Sequence, residues 1–277
     1  MDFASPQFAD EYSWVSHARS QGYSTLALDN LGSGNSSRPD PISIVQGPLQ
    51  VEIMHTIIKS LRSGSLPNIS QHYKKIVFVT HSYGSIIGRK VATDYPHDGA
   101  DAYILTAASN TLVGIQRAIG TFQAQAASVH HPAELGNLPP GYLSFSNQGL
   151  RDAVYSFDGD FDPKMLAWDQ QYPHSFAAGE IAAPLSSLVA NTSIFGGPVM
   201  ILIGKYDVIV CGTGNFTQSD GDCGNGKDSN PAMTKAEFPK ARFDYYIPDH
   251  AGHNVNTHYS APESFGAAHM FLERVGF

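Results

Sequence analysis

A serine, an aspartate and a histidine stand in this chain where each could take part in acyl transfer. Ser82 lies in Ile76-Val77-Phe78-Val79-Thr80-His81-Ser82-Tyr83-Gly84-Ser85, between a run of apolar β-formers and an amphipathic helical stretch. A strand–turn–helix setting of this kind is the nucleophile elbow, whose sharp turn lifts the serine hydroxyl clear of the sheet. The turn asks for small residues two positions to either side. Gly84 meets that demand, while Thr80 stands where glycine is usual. The start of the helix adds partial positive charge and the Tyr83 N–H, one donor for a developing oxyanion. The plain alternative is Ser82 as an ordinary helix N-cap.

A serine hydroxyl needs an imidazole base, and the imidazole needs a carboxylate to hold its tautomer. Val199-Met200-Ile201-Leu202-Ile203-Gly204-Lys205-Tyr206-Asp207 sets an aspartate just beyond a buried strand. Asp207 is the preferred acid; its other reading is a loop carboxylate in an Asx-turn. Asp29 and Asp244 belong to expected strands or precede the serine, and are poorer choices. Phe243-Asp244-Tyr245-Tyr246-Ile247-Pro248-Asp249-His250-Ala251-Gly252-His253 closes another strand with two histidines. His253 is preferred because Gly252 permits the tight turn that aims it back over the strand ends, and His250 is the runner-up. Ser82, Asp207 and His253 then follow one another as nucleophile, acid and base.

These residues need strand ends to hold them, and the chain supplies alternating strands and helices, the pattern of a parallel sheet wrapped by helices. A first helix is expected over Ser13–Gln21, stopped by Gly22, and then a strand over Tyr23–Asp29 with a Gly/Ser turn behind it. Leu49, Ile53, Ile57 and Leu61, with Met54 and Ile58 beside them, repeat at helical spacing between Pro48 and Gly64. Ile76–Thr80 reads as a strand, followed by a helix striped with Tyr83, Ile87, Val91 and Tyr95 and stopped by Pro96. Ala102–Thr106 is the next strand. The alternation then breaks until Gly197, with helical pieces expected over Leu112–Ala127 and Pro163–Gln171. It resumes with Val199–Ile203, a short helix near Pro231–Phe238, the strand Phe243–Ile247 and a last helix. That helix opens with Ser260 and Glu263 in capping-box spacing and carries Phe265, Leu272 and Val275.

The 277 residues are 42% hydrophobic, 11% aromatic and 15% charged, a globular composition that excludes disordered, collagen-like and coiled-coil classes. With 17 Lys and Arg against 25 Asp and Glu the net charge is -8. No basic cluster stands ready to neutralise phosphates, so no nucleic-acid partner is expected. The longest apolar runs are strand-sized, well short of the roughly 20 residues that span a bilayer. Met1–Ala9 carries no basic n-region or apolar h-region, and so shows no signal peptide, leaving a cytoplasmic location open. Cys211 and Cys223 share a Gly- and Asp-rich loop and are close enough to bridge, though two free thiols is the other reading. Asn-x-Ser/Thr patterns at Asn35, Asn68, Asn191 and Asn215 add weight to an oxidising compartment.

From Ser13 to the C-terminus the chain resembles the α/β-hydrolase superfamily of lipases, esterases and epoxide hydrolases. The resemblance rests on Gly22-Tyr23-Ser24-Thr25-Leu26-Ala27-Leu28-Asp29 with Gly32, Gly34 and Ser36-Ser37, on the Ser82 elbow, the Asp207 loop and the Gly252-His253 pair. With the loop cysteines it is similar to secreted fungal members. It implies a mostly parallel α/β sheet flanked by helices, with a helical cap inserted. The core would fall in two parts, 1–109 and 198–277, around a cap at 110–197. The family's epoxide hydrolases and dehalogenases use aspartate as nucleophile, so Ser82 points to acyl esters. Attack by Ser82, assisted by His253 and oriented by Asp207, gives an acyl-enzyme, with the Tyr83 N–H in the oxyanion hole. The acceptor, water or another nucleophile, stays open.

The family sheet has eight strands, and only five are visible here, beginning at Tyr23, Ile76, Ala102, Val199 and Phe243. On this reading the first three are missing, among them the strand between Tyr23 and Ile76, whose following loop carries a second oxyanion donor. Asp2–Phe8 makes a poor replacement because Pro6 breaks it. The resemblance therefore implies an N-terminally truncated hydrolase, secreted in its full-length form, and leaves two functional expectations. One is hydrolysis of a small, fairly apolar ester, where Phe122, Tyr142, Phe145, Phe157 and Trp168 suggest an apolar pocket and plain core packing is their other reading. The other is a silent or impaired enzyme that acts as a binding shell for apolar molecules. No cofactor is called for. Asp158-Gly159-Asp160-Phe161-Asp162 hints at a calcium loop, but Pro163 stands where such a loop needs glycine, and His130-His131 reads as a surface pair. Oligomeric state is not legible.

Overall fold

The computed structural model describes residues 8, 11–108, 122–145, 159–182, 193–212 and 222–277. Among these the regular elements are α1 (Trp14–Ser20), α2 (Gly47–Ser63), β1 (Val77–His81), α3 (Tyr83–Asp94), β2 (Ala102–Thr106), β3 (Ala124–Ala126), α4 (Ala127–His130), α5 (Pro132–Leu135) and β4 (Tyr142–Phe145). They continue with α6 (Pro163–Gln171), β5 (Phe176–Ala177), α7 (Ala178–Ala182), β6 (Pro198–Leu202), α8 (Asn230–Met233), β7 (Arg242–Tyr246) and α9 (Ala261–Arg274). β1, β2, β6 and β7 form a parallel sheet in that order. Its register sets His81, Thr106, Leu202 and Tyr246 in one row, so the four strands end level. The carboxyl ends of such a row are where a parallel α/β sheet builds its sites.

Strand alternation sends successive side chains to opposite faces. Tyr103, Leu105, Val199 and Ile201 pack with Val51, Met54 and Ile58 of α2 and Ile87 and Val91 of α3. Ala102, Ile104, Met200 and Leu202 pack with Trp14 and Ala18 of α1 and Phe265, Ala268 and Leu272 of α9. Helices therefore cover both faces, as a parallel sheet requires. No helix among the described residues is long and apolar enough to cross a membrane.

Four expectations need correction. Tyr23–Asp29 forms neither strand nor helix: Leu26 and Leu28 are 42% and 44% exposed, and no ladder joins the segment to β1. A β-rich composition makes a strand only where a partner accepts its backbone hydrogen bonds. On α2 the buried face is Gln50, Val51, Met54, His55 and Ile58, whereas Leu49 is exposed. The Ser260–Glu263 capping box does not form: Ser260 makes no side-chain cap bond, and Glu263 instead accepts from Tyr246 Oη. The stretch 110–197, expected as helical, also carries a three-stranded antiparallel sheet in the order β3-β4-β5. Leu112–Thr121, Phe157, Asp158, Asn191, Asn215 and Asp2–Gln7 lie outside the described residues, while Asn35 and Asn68 are exposed.

Candidate active site

Three of the four level strand ends lead directly into the site. β1 runs into Ser82, whose φ of 51° and ψ of -118° place a non-glycine residue in a conformation that costs about 1–3 kcal/mol. The turn is held from β2: Ser82 N donates to Thr106 O at 3.0 Å, Ser85 Oγ donates to the same oxygen at 2.7 Å, and Thr106 Oγ1 donates to Thr80 O at 2.9 Å. Thr80 fits because it joins this network, its Oγ1 lying 3.0 Å from Ser85 Oγ. A Cβ on Gly84 would sit 3.7 Å from Thr80 Cβ, an ordinary contact, whereas one on Gly88 would meet Leu105 at 3.0 Å and Thr80 at 3.2 Å. The tight neighbour of the elbow is therefore Gly88.

β6 runs through Gly204 to Asp207, which is fully buried. Asp207 Oδ1 accepts from the N–H groups of Ile209 at 3.1 Å and Val210 at 2.9 Å, the Asx geometry that orients a carboxylate. A disulfide joins Cys211 and Cys223, with Cα atoms 5.1 Å apart. Cys211 N donates to Asp207 O at 2.8 Å and Cys223 N to Lys205 O at 2.7 Å, so the bridge braces both ends of the loop. β7 leads to His253 through Gly252. The two loops touch at Gly204, where a Cβ would lie 2.1 Å from Gly252 O and 2.5 Å from Ala251 O. Only glycine permits that approach.

Ser82, Asp207 and His253 come together. His253 Nε2 is 2.8 Å from Ser82 Oγ, and its Nδ1 is 2.9 Å from both Asp207 oxygens. A carboxylate only accepts, so Nδ1 carries the proton and Nε2 accepts from the serine. Tyr83 opens α3, where the first-turn N–H groups have no intrahelical acceptor. His250, the other histidine of the loop, points elsewhere: its φ is 61° and its Nδ1 pairs with Asp160 at 2.9 Å. Asp29 accepts from Asn35 N, and Asp244 pairs with Arg274, both away from Ser82. Asp162 caps α6 through Lys164 N, and among the described residues no three His, Cys, Asp or Glu gather as a metal ligand set. The rings of His130 and His131 lie 4.2 Å apart, with His130 Nδ1 3.0 Å from Ser144 Oγ.

Several supporting residues carry no motif in the sequence. His258 is fully buried; its Nε2 accepts from Gly252 N at 3.0 Å and its Nδ1 donates to Asn254 O at 2.7 Å, which pins the turn before His253. Burial pushes the His258 imidazole down to about 4. His81 packs its ring 4.9 Å from that of His253. Thr106 Oγ1 spends its proton on Thr80 O, so His81 Nδ1 donates to it at 2.9 Å. Burial, and then the neighbouring His253, push the His81 imidazole well below its ordinary value, so it stays neutral beside a protonated His253.

The family model described as "Alpha/beta hydrolase family" matches residues 4–268. No curated protein sequence matches the chain at a significant level. Among solved structures, a monoacylglycerol lipase from Paleococcus ferrophilus is 14% identical with a TM-score of 0.58, the match covering 97% of this chain and 90% of that one. A thermophilic esterase from Thermogutta terrifontis is 15% identical with a TM-score of 0.55, over 90% of this chain and 79% of that one. Tomato methylketone synthase I is 14% identical with a TM-score of 0.60, over 99% and 95%. At these identities the likeness is one of fold.

Proposed function

Because the chain belongs to the alpha/beta hydrolase family, we propose that it hydrolyses a carboxylic ester of a small, fairly apolar molecule through an acyl-enzyme on Ser82. The observation that carries this reading is the continuous chain Ser82 Oγ, His253 and Asp207, with contacts of 2.8 and 2.9 Å. His253 Nε2 takes the serine proton as Oγ adds to the ester carbonyl. Asp207 holds the Nδ1–H tautomer and balances the imidazolium. The carbonyl oxygen, now negative, is stabilised by the Tyr83 N–H at the start of α3. Collapse of the tetrahedral intermediate expels the alcohol, which takes the proton from His253. Water, deprotonated by the same imidazole, then attacks the acyl-serine and releases the acid.

The esterase and lipase among the structural neighbours support a hydrolase of ester substrates. The segment 110–197 lies in the chain between β2 and β6, and we assign it the role of a cap that shapes the pocket. The Cys211–Cys223 bridge supports an oxidising compartment for the protein.

Fluorophosphonate labelling tests the reading directly. Stoichiometric labelling that Ser82→Ala abolishes, both proteins showing the same circular dichroism, is the expected result. A folded chain that takes no label would instead support a binding shell for apolar molecules.

A further inference from the structure

The acyl-transfer steps use both nitrogens of His253 and leave its ring face to a neighbour. The bonds at Nε2 to Ser82 Oγ, 2.8 Å, and at Nδ1 to Asp207, 2.9 Å, hold the imidazole at opposite edges. Two such bonds set a line through the ring and leave the twist about that line free. The ring of His81 closes this freedom: its centroid lies 4.9 Å from that of His253, with the two planes at 59°. Tilted rings at this separation make a favourable contact. His81 is the last residue of β1, one before the strained Ser82, and Thr106 on β2 is its partner in the sheet register. The Thr106 hydroxyl donates to Thr80 O at 2.9 Å, so its oxygen accepts from His81 Nδ1, also at 2.9 Å. Thr106 O accepts from Ser82 N at 3.0 Å. One residue of β2 thus anchors both the nucleophile's turn and the ring that backs the base.

The other nitrogen of His81, Nε2, is buried and has no hydrogen-bond partner among the described residues. With the proton on Nδ1 it is a bare acceptor, and a proton added there would be a buried donor with nothing to receive it. The ring therefore stays neutral, in keeping with the low value that burial and the neighbouring His253 impose on it. The titratable groups that meet His253 are Asp207 from the loop after β6 and His81 from β1, and of the two only Asp207 carries charge. A cation in place of the His81 ring would oppose the imidazolium that forms when His253 takes the serine proton. We propose that His81 is a positioning residue for acyl transfer: anchored by Thr106, its ring holds the His253 imidazole in line between Ser82 and Asp207 and takes no proton itself. This inference rests on the acyl-transfer reading of Ser82, Asp207 and His253.

The test uses the full chain and reads fluorophosphonate labelling as a limiting rate at saturating probe and a half-saturating probe concentration. His81→Asn keeps a donor toward Thr106 but has no ring to back His253. His81→Phe keeps the ring, removes the bare Nε2 and strands no donor, since the Thr106 hydroxyl still donates to Thr80 O. His81→Asn is expected to lower the limiting rate about hundred-fold, the effect of misplacing a reacting group by about 1 Å, with half-saturation unchanged. His81→Phe should stay within about five-fold of the unmutated chain, the size of one neutral hydrogen bond. His81→Leu, which fills the space without a flat ring, replaces His81→Asn if circular dichroism shows that variant unfolded. A ringless variant within about five-fold of the unmutated rate, a loss seen only in half-saturation, or His81→Phe as slow as the ringless variant would overturn the positioning role. So would a second acid step in labelling rate against pH that the unmutated chain shows and His81→Phe lacks, because His81 would then be taking a proton. NMR of isotope-labelled histidine, with no probe present, separates this inference from the reading it rests on. A His253 Nδ1 proton signal that is sharp in the unmutated chain and in His81→Phe but broadened in the ringless variant, in a chain that takes no label, sinks only the acyl-transfer reading. Normal labelling with an equally sharp signal in every variant sinks only the positioning role.

Discussion

Asp207 has no exposed surface, accepts two backbone N–H bonds and meets His253 with both oxygens. Asp207→Asn keeps the shape but offers His253 an amide that stabilises the wrong tautomer. It should slow fluorophosphonate labelling by about 10³- to 10⁴-fold with the fold intact. Labelling within ten-fold of the unmutated rate would remove Asp207 from the mechanism. His250→Ala is the matching control: its ring faces Asp160 at the surface, and labelling should change by no more than about two-fold, as for most surface substitutions. Ser82, Asp207 and His253 were legible because each type of residue stood just past a recognisable strand. The roles of His81, Thr106 and His258 were not, since each depends on which hydrogen-bond partner another loop supplies.

The element that joins the site together is the contact between the loops after β6 and β7, and its tightest point is Gly204. Gly204→Ala would drive a methyl into Gly252 O. The backbone must move, and overpacking of this kind costs about 1–3 kcal/mol. Thermal unfolding should report the loss, and labelling should slow as Asp207 and His253 separate; an alanine variant as stable and reactive as the parent would show that the two loops move freely. The disulfide acts on the same loop from its other side. Replacing Cys211 and Cys223 together by serine should lower the unfolding free energy in urea by about 3 kcal/mol, the entropy of a loop of about a dozen residues. No change in the urea midpoint would mean that the backbone bonds at Cys211 and Cys223 hold the loop alone. Element prediction failed in a consistent way. Tyr23–Asp29, the Ser260–Glu263 box and the inward face of α2 each needed a partner that local sequence does not name.

Across the whole molecule, buried neutral histidines make stability depend on pH. His258 and His269 are both pushed down to about 4, in each case chiefly by burial. His269 Nε2 accepts from Trp14 Nε1 at 3.3 Å, a bond that ties α1 to α9 and that protonation would abolish. The folded values lie below the ordinary 6.5, so between about pH 4 and pH 6.5 the unfolded chain binds more protons than the folded one. Stability therefore rises with pH through that window and is fully present above it. Urea unfolding at several pH values should show this slope, and His269→Phe should flatten it; a slope unchanged in the variant would mean that His269 titrates normally in the fold.

Strand ends that carry a serine, an aspartate and a histidine in that order, with helices between them, are local patterns, and local patterns survive in a bare sequence. From them the sequence by itself determined the parallel sheet, its flanking helices and the identity of three residues placed to act together. Tertiary structure alone decided that His250 pairs with Asp160, that Gly204 is the point of loop contact, and that Tyr23–Asp29 stays out of the sheet. It also set the Gln50 amide of α2 against Glu180 of α7. The physical reason is common to all of these: a buried polar group or a strand edge is defined by what meets it, and the meeting residues lie far away in the chain.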